Sequence, residues 1–149
     1  MQSAAEIHFM CSPPDMFGKV WPHVGPILLR GIRSVDNAGV LECIDMLRSG
    51  EALLWLVTRG PPAAGDFLGC FCTQLYERDG RRYLGMFAAA GISLREWVPQ
   101  ASKRMDEYAK AEGCDAMRIR SRKGWEKLLT DAAVVGRDAD RVELERAVA

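Results

Sequence analysis

The chain has 149 residues, with 20 Lys and Arg against 20 Asp and Glu, so its formal net charge is zero. This balance argues against nonspecific nucleic-acid binding, which needs a surplus of positive charge, although the basic stretch 118–123 leaves a local patch open. Hydrophobic residues make up 48% of the chain, as in ordinary globular proteins. The length predicts one domain over residues 1–149, with a core that needs no disulfide or metal.

The first third of the sequence predicts one strand and two helices. A short strand covers 6–11. Apolar residues spaced three and four apart then predict a helix over 14–33. Pro22 and Pro26 each remove a helical hydrogen bond, so this helix should be kinked or broken. A second amphipathic helix follows over 40–50.

The middle of the chain predicts three antiparallel strands, over 51–60, 66–80 and 81–90. The pair Asp79–Gly80 between the second and the third of them is a strong tight-turn signal. The three strands are therefore expected to form a meander.

The clearest helix in the sequence covers 93–113. Ser93 followed three residues later by Glu96 predicts a capping box, in which the serine side chain bonds the first free N–H groups of the helix. Pro99 should bend the helix, and Gly113 should end it.

The last third predicts a strand over 115–122, a short helix over 123–133 and a final strand over 141–148. The order is β-α-α-β-β-β-α-β-α-β. It predicts an α+β fold in which helices flank a mixed, mostly antiparallel central sheet.

Cysteine, histidine and targeting patterns exclude several classes. The five cysteines are odd in number and scattered, unlike a disulfide framework. Cys70 and Cys72 would share one face of a strand as small buried residues, and neither they nor His8 and His23 have metal-site spacing. The N-terminus lacks the pattern of a signal peptide, and the longest apolar run, 52–57, is far shorter than the ~20 residues of a membrane span.

The segment from the central helix to the helix after the fifth strand resembles a known family. Eight positions carry the resemblance: Leu94, Ala109, Gly113, Cys114, Ile119, Gly124, Trp125 and Leu128. They are similar to the pattern of the GNAT superfamily of N-acetyltransferases, and more closely to its small phage-encoded members. The order of strands and helices extends the resemblance over nearly the whole chain.

The resemblance implies where a cofactor would bind. In the superfamily, acetyl-CoA lies between two splayed parallel strands, and its pyrophosphate sits on the N-terminus of the central helix, at a turn of pattern Q/R-x-x-G-x-G/A. The corresponding turn here, AAAGIS over 88–93, has one glycine and neither Gln nor Arg at its start. A capping box would also compete for the same N–H groups. The candidate cofactor-binding residues are Ala88, Ala90, Gly91, Ser93 and Arg95.

The resemblance also implies catalytic groups, and these are incomplete. Many superfamily members use a Glu on the fourth strand and a Tyr on the helix after the fifth, and neither position has its counterpart in this sequence. The nearest candidates are Tyr76, Glu77 and Tyr83, on neighbouring strands.

Two functions remain open at this point. The first is a non-catalytic module of a phage virion, at a head–tail junction or in a tail. It would be made in the host cytoplasm and would bind other phage structural proteins or itself, with no cofactor, membrane or specific nucleic-acid partner. The alternative is an active acetyl-CoA-dependent N-acetyltransferase for a protein or small-molecule amine, with the thioester close to residues 86–88.

Overall fold

A seven-stranded sheet and three α-helices make up the fold, in a computed structural model that describes residues 6–31, 37–61, 66–137 and 141–148. The strands are β1 (Ile7–Ser12), β2 (Leu53–Arg59), β3 (Asp66–Arg78), β4 (Arg81–Gly91), β5 (Ala116–Arg122), β6 (Ala133–Arg137) and β7 (Arg141–Ala147). The α-helices are α1 (Phe17–Gly31), α2 (Asn37–Ser49) and α3 (Leu94–Ala111), and short 3₁₀-helices cover Pro14–Met16 and Lys123–Lys127.

The sheet has the order β1-β2-β3-β4-β5-β7-β6. Every neighbouring pair is antiparallel except β4 and β5, which run parallel and are joined through α3. This arrangement confirms the predicted α+β class with a mixed, mostly antiparallel sheet. It also places the one parallel pair at the centre, where α3 returns the chain across the sheet.

Helix α3 packs on one face of the sheet through an aromatic column. Trp97 is fully buried and stacks on Phe71 of β3, whose ring in turn stacks on Trp55 of β2, with centroid distances of 6.1 and 6.2 Å. The Trp55 indole donates a 2.9 Å hydrogen bond to the Thr73 hydroxyl, so its polar atom is satisfied inside the core. Large stacked rings of this kind supply much of the apolar area that holds a helix on a sheet.

Helices α1 and α2 cover the opposite face of β2, β3 and β4. The buried residues of this second cluster are Val24, Leu28, Cys43, Leu47, Ala52, Leu54, Cys70, Cys72 and Ala88. Because side chains alternate along a strand, neighbouring residues of β3 serve different faces: Phe71 packs under α3, whereas Cys70 and Cys72 pack under α1 and α2.

Two local predictions meet different outcomes in the structure. Asp79 and Gly80 have φ values of +53° and +76°, which confirms the tight turn because both central residues of such a turn need positive φ. Of the kinked or broken helix predicted at Pro22 and Pro26, the break is wrong, since α1 runs through both prolines; the kink stays a prediction. The end of the predicted helix, residues 32–33, lies outside the described residues.

The predicted helix over 123–133 is wrong. Only a 3₁₀-helix forms, over Lys123–Lys127, in which Trp125 reaches the core. The chain then enters β6, which was not predicted. There Ala133 pairs with Glu145 of β7, and Val135 lies at a break in the pairing register. Between the 3₁₀-helix and β6, turn hydrogen bonds such as that from the Ala132 N–H to the Leu129 carbonyl replace those of a helix.

Candidate functional site

The central parallel strands part partway along their length. β4 and β5 pair over four positions only, from Tyr83–Ala116 to Met86–Ile119. β4 continues to Gly91 and β5 to Arg122, but no described β5 residue pairs with β4 beyond Met86. The result is a wedge between two splayed strands, and it opens toward the N-terminus of α3.

A bulge in β4 accompanies the parting of the strands. Cys70 of β3 pairs with Ala90 and Cys72 pairs with Phe87, so two β4 residues face one β3 residue. The first of these two, Ala88, has φ of +55°, a conformation that costs energy for a residue with a Cβ. Bulges bend a strand and re-aim it, which accounts for the course of β4 away from β5.

The side chains of Ala88 and Ala90 are poorly placed to contact a bound cofactor. Both are buried, at 7% and 8% exposure, and Ala88 packs in the cluster under α1 and α2. Only their backbone groups remain available to a molecule in the wedge.

Gly91 is required by close packing of two strands. A Cβ at this residue would lie 2.2 Å from the Leu68 carbonyl oxygen and 2.5 Å from the Gly69 Cα, and its φ is +150°. The facing glycine is equally constrained, because a Cβ at Gly69 would lie 2.5 Å from the Ala90 carbonyl oxygen. The single glycine of the turn is therefore explained by the contact between β3 and β4.

The predicted capping box is wrong. Ser93 sits at the N-cap of α3 in the left-handed conformation, with φ of +54°, and its side chain makes no capping hydrogen bond. Its carbonyl oxygen accepts the Glu96 N–H at 2.9 Å, while the Glu96 carboxylate turns to Arg59 of β2. The Glu96 N–H is thus bonded by the Ser93 carbonyl and not by its hydroxyl, and the N–H groups before it receive no side-chain cap.

The first amide groups of α3 are consequently open to an anion. Within the described residues, no acceptor is paired with the N–H groups of Ser93, Leu94 or Arg95. The turn before them is held firmly, because the Ile92 N–H donates to the Leu68 carbonyl at 2.8 Å and the Ile92 carbonyl accepts from the Trp97 indole at 2.8 Å. Free N–H groups and the positive end of a helix dipole together form an anion site.

Three charged side chains surround this helix end. Arg95 is exposed in the first turn of α3. Arg59 of β2 reaches the same turn through the Glu96 carboxylate, with an Nη2–Oε2 distance of 2.5 Å. The hydrogen bond from Arg59 lowers the pKa of the Glu96 carboxyl, so the pair is ionised at neutral pH. Arg59 was not predicted, since nothing in sequence links the end of β2 to α3.

The predicted catalytic residues separate into two groups. Tyr76 of β3 stacks on Tyr83 of β4 with a centroid distance of 5.3 Å, on the sheet face opposite α3. Glu77 is exposed and lies 3.5 Å from Arg82, four residues before the end of the β4–β5 pairing at Met86. The structure thus brings the two tyrosines together and leaves Glu77 at the far end of β4.

Tyr76 is the candidate that comes nearest the parting of the strands. Its ring lies over Gly85, where a Cβ would be 3.1 Å from the Tyr76 Cε1; Gly85 immediately precedes the last paired residue of β4. Burial raises the pKa of the Tyr76 hydroxyl, which keeps it protonated at neutral pH. A protonated phenol can donate a proton but cannot serve as a base.

Cys70 and Cys72 are not poised for catalysis or metal binding. Burial raises the pKa of Cys70 to about 12, and a hydrogen bond with Cys43 together with burial raises that of Cys72, so neither is a thiolate at neutral pH. Among the described residues, no group of three or more His, Cys, Asp or Glu is placed to hold a metal ion. In the same residues, no helix has the length and apolar character of a membrane span.

Comparisons with known proteins identify the fold. No protein-family model and no curated protein matches the sequence. Solved structures do match: the acetyltransferase of the GNAT family from Streptococcus pneumoniae aligns with a TM-score of 0.64 at 11% identity, over 96% of this chain and 100% of that one. An IAA acetyltransferase from Bacillus cereus gives 0.66 at 11% identity, over 95% and 99%.

A third structure contains a ligand. It is a GNAT family acetyltransferase from Elizabethkingia anophelis with acetyl-CoA bound, and it aligns with a TM-score of 0.64 at 15% identity, over 95% of this chain and 97% of that one. These likenesses confirm that the chain has the GNAT fold. The expectation that the protein takes no cofactor gains no support from them, and neither does the expectation of a phage origin.

Proposed function

We propose that this protein is an acetyl-CoA-dependent N-acyltransferase. The observation that carries the proposal is the wedge between β4 and β5, which opens from Met86 and Ile119 onto an uncapped helix N-terminus. The wedge and the free N–H groups of α3 together fit a long ligand that has an anionic middle. The GNAT fold supports the same assignment by analogy.

The chain's own groups can hold such a ligand along its length. The N–H groups of Ser93, Leu94 and Arg95 would receive the pyrophosphate, and the Arg95 guanidinium would add a charged contact. Backbone groups of β4 beyond Met86, which no described β5 residue pairs with, are available to the amide groups of the pantetheine arm. Acetyl-CoA, when bound, supplies an acetyl group activated as a thioester.

Proton transfer in the reaction falls to few groups. Tyr76 is the proposed proton donor to the departing thiolate, because its ring edge at Cε1 lies over Gly85 and its hydroxyl is protonated at neutral pH. β4 carries no carboxylate, so deprotonation of the acceptor amine is left to solvent. The rate should therefore rise with pH toward the pKa of the amine.

Thermal unfolding with and without acetyl-CoA tests the proposal. Ligand at about 100 times its dissociation constant stabilises a protein by about 2.7 kcal/mol, which for a chain of this size corresponds to roughly 5–10 °C. The Arg95→Gln variant should show a smaller shift. Lys110→Gln, which removes an exposed charge near the other end of α3, should behave as wild type.

A transfer assay completes the test. Release of free thiol from acetyl-CoA in the presence of a mixture of primary amines should exceed the rate without amine. A protein whose melting temperature does not respond to millimolar acetyl-CoA would contradict the proposal. The role in a virion rests on the incomplete phosphate turn, the missing catalytic groups and the phage-type resemblance, and it stays a prediction.

A further inference from the structure

An acceptor must reach the wedge from the sheet face opposite α3. Leu84 and Met86 of β4 and Ile119 of β5 are buried in the core beneath α3, which blocks that face. On the other face α1 and α2 cover β4 around Phe87 and Ala88, and Tyr83 and Gly85 are buried, so the groups that an acceptor can reach are the half-buried Tyr76 and the side chains of β5. The proposed acyltransferase therefore receives its acceptor on the β5 side of this face.

Tyr76 forms one wall of this approach. Its ring lies over Gly85 and is stacked on Tyr83. Gly85 pairs with Arg118 across the parallel strands, and the Arg118 Cζ lies 5.4 Å from the centre of the Tyr83 ring. An aromatic surface thus extends from β3 across β4 to the first of two arginines on β5.

The first of these arginines is fully engaged. The Arg118 Nε lies 2.6 Å from Glu145, and its Nη1 lies 3.4 Å from Glu143. Both carboxylates belong to β7, and Arg81 also lies 3.6 Å from Glu145. Arg118 is therefore held in place and has little capacity for another ligand.

The second arginine differs from the first, because the structure gives it no partner among the residues it describes. Arg120 lies on the same face as Arg118, two residues further along β5, and it is exposed. Glu143 stands opposite it in the β5–β7 register, but that carboxylate already lies beside Arg118. Among the described residues none forms an ion pair or hydrogen bond with the Arg120 side chain.

The position of Arg120 is specific. Ile119 makes the last pair with β4, so Arg120 is the first β5 residue beyond the parting of the strands. One residue of a strand spans about 3.3 Å. A cation that no described residue pairs with therefore stands at the mouth of the wedge, on the side from which the acceptor comes.

We propose that Arg120 binds a carboxylate of the acceptor, and that the preferred acceptors are small amines that also carry an acid group. The planar guanidinium matches a carboxylate with two parallel hydrogen bonds. Tyr76 offers its ring to an aromatic acceptor bound in this way. That the acceptor is an amine rests on the proposed function. That it carries an acid group rests on Arg120.

A binding experiment tests the acid site without catalysis. The probe is 3-phenylpropionate, which has the ring and the carboxylate but no amine; 3-phenylpropanol is the same probe without the charge. Amide resonances of β5 and around Tyr76 should shift on titration with the acid and much less with the alcohol. Arg120→Gln should weaken binding of the acid at least fivefold, and Lys110→Gln should not change it. Equal binding to wild type and Arg120→Gln would overturn the inference.

A kinetic experiment tests the acceptor class. Phenylalanine and phenethylamine differ by the carboxylate alone, so the wild type should favour phenylalanine in kcat/KM by at least tenfold, chiefly through KM. In Arg120→Gln the preference should fall close to one, while the kcat/KM for phenethylamine stays the same. A wild-type enzyme that uses both amines equally would refute the inference and leave the proposed function standing. Absence of an acetyl-CoA effect on melting would refute the proposed function, while the titration would still decide whether Arg120 binds a carboxylate.

Discussion

The two ends of the β4–β5 pair are built in opposite ways. At the closed end, where β4 and β5 begin, Asp115 accepts the Arg82 N–H at 2.9 Å and donates its own N–H to the Arg82 carbonyl at 2.8 Å. The Arg82 guanidinium also donates to the Glu112 carbonyl at 2.9 Å. At the open end, beyond Met86 and Ile119, the strands separate and the first N–H groups of α3 have no described acceptor.

The contrast indicates a division of work along one pair of strands. Backbone and charged groups at the closed end satisfy one another, as expected where the only task is to hold strands and helix together. At the open end a similar set of groups is left available within a rigid frame. Hydrogen-bond donors that are unpaired and held in a rigid frame indicate a ligand site. Four substitutions test this difference between the two ends of the strand pair.

The largest effect is expected at the frame of the open end. Gly91→Ala places a Cβ 2.2 Å from the Leu68 carbonyl oxygen in a positive-φ residue, so the variant should lose about 3 kcal/mol or more of unfolding free energy, or fail to fold. Urea unfolding measures this. Gly18→Ala is the control, because a Cβ there meets nothing within 4 Å. A Gly91→Ala protein as stable as the control would show that the two strands are not packed as described.

A smaller loss of stability is expected at the closed end. Asp115→Ala removes the acceptor of the Arg82 N–H and should cost about 1 kcal/mol of unfolding free energy, with no change in acetyl-CoA affinity. Glu112→Ala is the matched acidic control, because only its backbone carbonyl bonds Arg82. Weaker acetyl-CoA binding in Asp115→Ala, at unchanged stability, would reverse the roles assigned to the two ends.

Ligand affinity, not stability, should respond at the helix end. Arg95→Gln is expected to weaken acetyl-CoA binding about fivefold to tenfold, the contribution of one charged hydrogen bond at an exposed site, and to leave urea unfolding unchanged. Isothermal titration calorimetry measures the affinity. An unchanged dissociation constant would remove Arg95 from the phosphate site.

The smallest effect concerns the ion pair of Arg59 and Glu96. The hydrogen bond from Arg59 lowers the pKa of Glu96, so the folded state favours the carboxylate. The resulting stability is present above the ordinary carboxyl pKa and is lost as pH falls through the lowered value. Wild type should therefore exceed Glu96→Gln in melting temperature at pH 7, and the difference should shrink as pH falls below the ordinary carboxyl pKa. A difference that grew on acidification would have the wrong sign.

Sequence alone predicts the parts of the fold that depend on local chemistry. The Asp79–Gly80 turn follows from two residues that tolerate positive φ, and α3 follows from the spacing of residues such as Trp97 and Met105. β6 was missed because Val134 and Val135 are both exposed, at 39% and 46%, and a break in register at Val135 interrupts the alternation that marks a strand. The predicted helix over 123–133 stops early: the 3₁₀-helix ends at Lys127, and one further turn, closed by the Leu129 N–H on the Trp125 carbonyl, already brings both side chains into the core.

The candidate site was predictable only in position. The sequence pattern predicts the strand-to-helix junction at residues 88–93. It does not predict whether the backbone N–H groups at this junction are capped or free. Ser93 matches a capping box in sequence, whereas the tertiary contact between Glu96 and Arg59 and the left-handed backbone of Ser93 decide otherwise. The parting of β4 and β5 is a matter of long-range register, which leaves no local signal. The alternation of arginines at positions 118 and 120 was the one available sign that both share a face.

The packing of Gly69 against Gly91 has a consequence for the descent of this chain. A larger residue at either glycine alone would clash with the other strand. Both glycines should therefore be conserved in every descendant that keeps this sheet, whether or not it is active. A glycine preserved in this turn would then record the architecture of the lineage and not its chemistry. Arg95 and Arg120, whose loss should cost the sheet nothing, are free to drift once selection on a ligand ends, and their fate across descendants would date the loss or retention of activity.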